Sequence, residues 1–237
     1  MPSLWSHVPV SVDRVDPELL EADTVTLLEI LDTPDSGQRA AAACALALRG
    51  DPRALDALVD CLQVKALRYP CLEALRHLDD RRSVPAVRAL FQKRFLSPFD
   101  RTQAAGLLAQ QGDDAGRRHI LARLGKRRRD DDRGLAIELA ADLGLDDAVP
   151  ELELIAADSR DLFRGAALKA LATLRPEATR PRLVALVKSP EEDPDVRADA
   201  AEALHALGGE GVREALEVAA GADDAELAEV ARGLLDA

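Results

Sequence analysis

The stretch PDVRADAAEALHALGGEGVREALEVAAG, residues 194–221, decides the fold of this chain. Its first half places apolar residues three or four apart, as one face of a helix requires: Val196, Ala200, Leu204 and Leu207. Gly208 and Gly209 follow, and glycine is the residue that most often ends a helix. A second set with helical spacing begins at Val212. The stretch therefore predicts two helices joined by a short turn.

The same unit recurs along the chain, and its clearest marker is an arginine near the start of each copy. The arginines stand 29 to 33 residues apart, at Arg39, Arg68, Arg101, Arg133, Arg164 and Arg197. Seven residues after each stands Leu46, Leu75, Leu108, Ala140, Leu171 or Leu204, and nineteen after each stands Leu58, Val87, Ile120, Leu152, Leu183 or Leu216. Self-similarity at this period indicates a repeat protein. We predict an all-α, right-handed α-solenoid of about six to seven helix–turn–helix repeats.

The two ends of the chain depart from the period. Projecting it backward puts Leu27 at the plus-nineteen position, on a helix of about residues 17–32. We expect residues 1–16 to form an extended N-terminal arm or cap, with Trp5 folded onto the first repeat, and residues 17–237 to form one solenoid domain. The last helix is expected to stand alone with Leu234 at the plus-seven position, since terminal repeats are atypical.

Residues 195–208, DVRADAAEALHALG, carry almost the whole pattern D-x-V-R-x-x-A-A-x-A-L-x-x-L-G. This pattern resembles the HEAT repeats, specifically the short bacterial kind similar to the HEAT-like repeats of phycobilisome lyases. The resemblance covers about residues 23–237 and implies a HEAT/armadillo-like superhelix. It also implies a ladder in which the six arginines pair with acidic residues such as Asp100, Asp132, Asp161 and Asp195. A ladder present in six successive repeats favours a structural role over a local binding site.

Charge is distributed unevenly along the chain, although its net value is −12. Residues 81–133 contain 14 basic and 6 acidic residues, a net charge of +8, and the segments on either side are acidic. Most of these cations fall on second helices, which line the concave face of HEAT-like solenoids. We predict that they select an acidic protein partner, with these contact residues: Arg88, Gln92, Arg117, Arg118, Arg123 and Arg127. A merely solvated basic face is the alternative.

Other residue patterns indicate no chemistry. Cys44, Cys61 and Cys71 lack metal-ligand spacing and fall on apolar helix faces, which predicts buried, reduced thiols in a cytoplasmic protein. The four histidines stand far apart, and no nucleophile–base arrangement can be assembled, so we expect no catalytic residue, metal or cofactor. The longest apolar run, residues 40–48, is too short to cross a membrane. The absence of asparagine and the ratio of 26 Arg to 5 Lys suggest a bacterial source.

These observations favour a non-enzymatic scaffold or adaptor that binds a protein partner on its concave face. One alternative, implied by the resemblance, is a lyase-like enzyme or lyase subunit acting on a bound chromophore or a protein side chain. A nucleic-acid-binding HEAT-like protein is less favoured, because the chain is acidic and its one tryptophan, Trp5, precedes the repeats.

Overall fold

A computed structural model describes residue 19 and residues 21–126 and 131–237. This part of the chain forms fourteen α-helices joined by short turns and contains no β-strand. In chain order the helices are α1 Thr24–Leu31, α2 Ser36–Leu48, α3 Leu55–Cys61, α4 Arg68–Leu78, α5 Val84–Phe91, α6 Pro98–Gln110, α7 Asp114–Leu124, α8 Asp131–Asp142, α9 Val149–Ala157, α10 Arg164–Leu174, α11 Pro176–Lys188, α12 Pro194–Leu207, α13 Val212–Ala220 and α14 Ala225–Asp236. The predicted arm, residues 1–16 with Trp5, lies outside the described residues.

The helices form two compact units, and the division falls within α7, between Ala122 and Arg123. In the N-terminal unit the first helices α2, α4 and α6 pack side by side, while α3 packs on α4 and α5 on α6. In the C-terminal unit α8, α10, α12 and α14 pack in the same way, with α9, α11 and α13 each packed on the first helix that follows. Packing of each helix pair against its sequence neighbours is the arrangement of a solenoid. The all-α solenoid prediction is thereby confirmed, whereas a single domain over residues 17–237 stays a prediction.

The repeating apolar positions form the core of each unit. The plus-seven residues Leu46, Leu75, Leu108, Ala140, Leu171 and Leu204 are all buried, and so are the plus-nineteen residues Leu58, Val87, Ile120, Leu152, Leu183 and Leu216. Leu27 is also completely buried on α1, as the backward projection of the period predicts. Alanines fill most of the remaining core, so the helices approach closely. The sequence period therefore marks the inward face correctly.

Local signals set the helix limits. Several first helices begin after an aspartate or serine whose side chain accepts a hydrogen bond from a backbone N–H of the first turn, which has no carbonyl partner within the helix. These residues are Asp35 before α2, Ser97 before α6 and Asp193 before α12. Four of them end at a glycine with positive φ: Gly50, Gly112, Gly144 and Gly208. Each glycine stands eleven residues after its repeat's arginine, and Asp79, with φ of 53°, takes that position after α4.

Three prolines stand seventeen residues after their repeat's arginine, and one of them departs from this regularity. Pro85 and Pro150 lie in the first turn of α5 and α9, where proline is tolerated because no N–H is required there. Pro181, by contrast, lies inside α11, which already begins at Pro176. At the position where other repeats place a left-handed residue, Arg175 has a φ of −137°. The chain thus passes directly from α10 into α11, and the second helix starts early.

Candidate functional site

Five of the six arginines that mark the repeats reach back to the carboxyl end of the preceding second helix. Nε of Arg68 donates to the Leu62 carbonyl (3.0 Å), that of Arg133 to Leu124 (3.0 Å), that of Arg164 to Ala156 (3.1 Å) and that of Arg197 to Val187 (3.1 Å), while Arg101 donates to the carbonyls of Phe91 and Lys93. The last carbonyls of a helix lack partners within it and carry partial negative charge. A guanidinium there satisfies the carbonyl and ties one repeat to the next.

Three of these guanidinium groups also meet a carboxylate of the following repeat. Arg133 lies 2.7 Å from Asp161, Arg68 lies 3.5 Å from Asp100, and Arg164 bonds Glu192. Arg39 differs, because it contacts Asp60 of its own repeat at 3.4 Å.

Two acidic residues predicted for this ladder have other surroundings. Asp195 is exposed, and Glu192, three residues earlier, meets Arg164 instead. Asp132 is buried and pairs with Arg123 at 2.7 Å. The hydrogen bond from Arg164 holds the pKa of the Glu192 carboxyl below its usual range, and the Asp193 backbone N–H adds to the effect. The Arg164–Glu192 and Arg123–Asp132 pairs therefore connect adjacent repeats, as expected of structural contacts rather than of a ligand site.

The residues predicted to contact a partner divide into two groups. Arg88, Gln92 and Arg118 are exposed on or next to α5 and α7 of the N-terminal unit, and Arg117 beside them is half-buried. Arg123 is only 8% exposed, because its guanidinium is turned inward onto Asp132. This burial does not favour its place on a contact surface, which stays a prediction. Arg127 lies outside the described residues.

Exposed cations and the half-buried Arg117 lie on or near α5 and α7 of the N-terminal unit. We use the term basic surface for Arg81, Arg88, Lys93, Arg94, Arg117 and Arg118. Within it Arg88 lies 2.7 Å from Asp113, and this hydrogen bond holds the pKa of the Asp113 carboxyl below its ordinary value. Arg118 donates to the Asp114 carbonyl and points to solvent. This surface retains an excess of positive charge that can attract an acidic partner.

Apolar side chains exposed on the connections between repeats are a feature that the sequence period does not reveal. Phe95, on the α5–α6 connection, is 91% exposed, Leu162 on the α9–α10 connection is 70% exposed, and Val64 on the α3–α4 connection is 40% exposed. Arg68, Lys93, Arg94, Phe95 and Leu96 line a cleft of about 280 Å³. These connections vary in sequence from repeat to repeat, so no periodic signal could have located the exposed residues.

The three cysteines come together in the core of the N-terminal unit, and all three are free thiols, as predicted. The Cys71 thiol lies beside those of Cys44 and Cys61, which donate to the carbonyls of Pro70 and Ser36. Through this contact the pKa of Cys71 is raised, whereas the hydrogen bond from Cys71 and the nearby Arg39 lower the pKa of Cys61 to about 7. Within residues 21–126 and 131–237, no group of histidine, cysteine and acidic side chains could hold a metal ion. In the same part of the chain, no helix is long and apolar enough to cross a membrane.

Comparison with known proteins agrees with this geometry. The family of HEAT repeats matches residues 149–235, and the family of phycobilisome (PBS) lyase HEAT-like repeats matches residues 38–63. Among solved structures, one chain from the complex of CpcE and CpcF of phycocyanin lyase from Nostoc sp. PCC7120 is similar, with 19% identity and a TM-score of 0.57. That match covers 91% of this chain and 94% of the other.

A second solved structure, human deoxyhypusine hydroxylase in complex with glycerol, has 21% identity and a TM-score of 0.41 over 96% of this chain and 93% of the other. No curated protein matches the chain in sequence.

The buried arginines, the stacked helix pairs and these matches define an α-solenoid with HEAT repeats over residues 149–235. Its repeat at residues 38–63 is similar to the HEAT-like repeats of the phycobilisome lyases.

Proposed function

We propose that this protein is a non-enzymatic scaffold that binds an acidic protein partner through the basic surface of its N-terminal unit. The observation that supports this proposal is the separation of the arginines into two populations. The arginines that mark the repeats form the structural frame, and two of them, Arg133 and Arg164, have only 3% and 11% of their side chains exposed. By contrast, 52% of the Arg88 side chain is exposed. A solenoid frame needs the first population and does not require the second.

The position of the surface arginines favours a partner of opposite charge. Arg88 and Arg118 stand on α5 and α7, with Lys93 and Arg94 on the connection that follows α5. Charges of this kind increase the rate of encounter with an acidic surface and disfavour basic competitors. Three buried free thiols suit a reducing compartment, and we extend the proposal to a cytoplasmic protein.

Charge reversal tests the proposal. Proteins captured from cells that express this chain are compared for the wild type, for Arg88→Glu with Arg118→Glu, and for Arg213→Glu with Arg232→Glu. The last pair changes net charge equally at exposed positions of α13 and α14 in the C-terminal unit. We expect an acidic partner to be lost from the first double variant and retained by the second, with both variants folded by circular dichroism. Equal capture by all three proteins would reject the basic surface as a binding site.

A second candidate function is a lyase subunit. The match of residues 38–63 to the PBS lyase HEAT-like repeat favours it, and so does the likeness to a phycocyanin lyase chain along almost the whole length. On this reading the chain would assemble with a second subunit, as CpcE and CpcF do, and act on a bound chromophore or a protein side chain. Incubation with a bilin and an acceptor protein, alone and with such a subunit, tests it. Bilin absorbance that stays with the acceptor after denaturation would support the lyase function over the scaffold.

A further inference from the structure

Phe95 is an exception among the aromatic residues of the N-terminal unit. Phe91 stacks edge-on against His119 with ring centroids 5.5 Å apart, and Phe99 packs on Tyr69 at the same distance. Phe95 instead points to solvent with 91% of its surface exposed. Full exposure of a phenyl ring forgoes about 1.5–3 kcal/mol of burial free energy, so the position offers a partner a large apolar contact.

The connection that carries Phe95 is held on both sides. Arg101 donates to the Lys93 carbonyl at 2.7 Å, and Lys93 Nζ donates to Gln63 Oε1 of the previous connection at 2.9 Å. On the other side Leu96 is buried, and Ser97 Oγ accepts the Asp100 backbone N–H at 3.0 Å. The exposure of Phe95 is therefore built into a fixed backbone, and binding there needs little further ordering of the chain.

The cleft beside Phe95 combines apolar and cationic walls. Its volume of about 280 Å³ is lined by Arg68, Lys93, Arg94, Phe95 and Leu96. The charge of Arg68 is balanced by Asp100 at 3.5 Å, whereas Lys93 and Arg94 are exposed, with the Arg94 guanidinium 5.4 Å from the Phe95 ring centre. The volume lies below the roughly 300–1,000 Å³ of small-molecule sites and suits one large side chain.

We propose that this cleft docks an acidic segment of a partner protein, with one apolar side chain of the segment packed against Phe95. Carboxylates on either side of that residue face Lys93 and Arg94. The inference deepens the proposed scaffold function and rests on it, because it supplies the anchor that the charged basic surface lacks. A few buried aromatic contacts dominate most protein interfaces, while charges around them contribute specificity.

An anionic membrane is a weaker candidate for this position. Phe95 is a single apolar side chain, and stable membrane anchoring requires more than one apolar or charged signal. Val64, the exposed apolar residue of the neighbouring α3–α4 connection, is only 40% exposed.

Defined peptides test the docking of an acidic segment. Three fluorescent nine-residue peptides are used, each with four Glu on either side of a central Phe, Leu or Ser, and binding to the full chain is measured by fluorescence anisotropy. Variant Phe95→Ser is compared with Leu162→Ser, which removes an exposed apolar side chain from the equivalent connection of the C-terminal unit. We expect the Phe and Leu peptides to bind, and Phe95→Ser to weaken them about tenfold or more. The Ser peptide should bind the wild type weakly. Leu162→Ser should bind the Phe and Leu peptides as tightly as the wild type does.

Fluorine NMR of the chain labelled with 4-fluorophenylalanine locates the contact independently, because the chain has only four phenylalanines. The resonance absent from Phe95→Ser should be the one that the Phe peptide shifts most. Equal binding of the Phe and Ser peptides, no binding of either apolar peptide, or a shift elsewhere would overturn the inference. Preferential binding of phosphatidylserine vesicles that depends on Phe95 would overturn it in favour of a membrane contact. The captured partner could be lost from the Arg88→Glu, Arg118→Glu variant while no peptide binds the wild type. That result would reject the docking inference alone and leave the scaffold function standing.

Discussion

The Arg133 guanidinium lies 2.7 Å from the Asp161 carboxylate, and the two side chains are only 3% and 12% exposed. Arg133 also donates to the Leu124 carbonyl. One residue thus connects α8 to the end of α7 and to the turn before α10. Since each repeat of a solenoid is stabilised by its neighbours, such a bridge contributes to the stability of the whole C-terminal unit.

Replacing Arg133 with Met should lower the free energy of unfolding by about 3–5 kcal/mol, because Asp161, only 12% exposed, would lose its charged partner and keep only the Phe163 backbone N–H. The control is Arg175→Met, which removes a pair with Asp146 whose side chains are 46% and 65% exposed. That exposed pair should contribute at most about 1 kcal/mol. Urea denaturation of both variants provides the measurement. Equal losses in the two variants would show that the buried bridge is not a special element of the frame.

Glycine at position 116 is required by the close approach of α6 and α7. A Cβ atom there would lie 2.4 Å from the Ala105 carbonyl oxygen and 2.6 Å from the Ala109 nitrogen, both fixed backbone atoms. We expect Gly116→Ala to destabilise the protein by about 1–3 kcal/mol through overpacking. Gly233→Ala is the matched control, since a Cβ in α14 meets nothing within 4 Å. Better helix propensity should make that change stabilising by up to about 1 kcal/mol, and thermal melts distinguish the two signs.

Leu108 is a core leucine on α6, and Leu154 is a surface leucine on α9. Leu108 is completely buried on α6, whereas Leu154 on α9 is 66% exposed. Leu108→Ala should cost about 2–5 kcal/mol, as cavity-forming substitutions do, and Leu154→Ala should change stability by less than about 0.5 kcal/mol. Chemical denaturation measures both. A cost below about 1 kcal/mol for Leu108→Ala would mean that its surroundings collapse onto the cavity.

Periodic features were predictable from sequence, and local exceptions were less so. Leu27 follows directly from the repeat spacing, because burial of one helix face repeats with the helix pair. The inward position of Arg123 could also have been found, since it stands 22 residues after Arg101, where other repeats have Cys61, Leu90 and Ile155. The sequence alone could not show that Glu192, and not Asp195, pairs with Arg164, because the path of the turn before α12 decides which carboxylate reaches that arginine. The exposure of Phe95 likewise depends on how one connection is held.

The pairing of Arg164 with Glu192 should be visible in the acid response of the protein. The hydrogen bond from Arg164 lowers the pKa of the folded Glu192 carboxyl below its unfolded value near 4.5. A carboxyl with a lowered folded pKa stabilises the protein above its unfolded pKa, and this stabilisation is lost as pH falls through the folded pKa. The free energy of unfolding should therefore fall less steeply below about pH 4.5 in Glu192→Gln than in the wild type. Between about pH 6 and 7 the variant should instead be less stable by a constant amount.

Urea titrations at successive pH values measure this difference, with Glu214→Gln as the control. The pKa of Glu214 is also lowered, by Lys188, but its side chain is 75% exposed, so its contribution should be small. If the stability difference between the wild type and Glu192→Gln stayed the same from pH 7 down to pH 3, the carboxylate of Glu192 would not be the group that the frame holds ionised. A difference that narrows only for Glu192→Gln would identify its bond with Arg164 as the acid-sensitive link between α10 and the turn before α12.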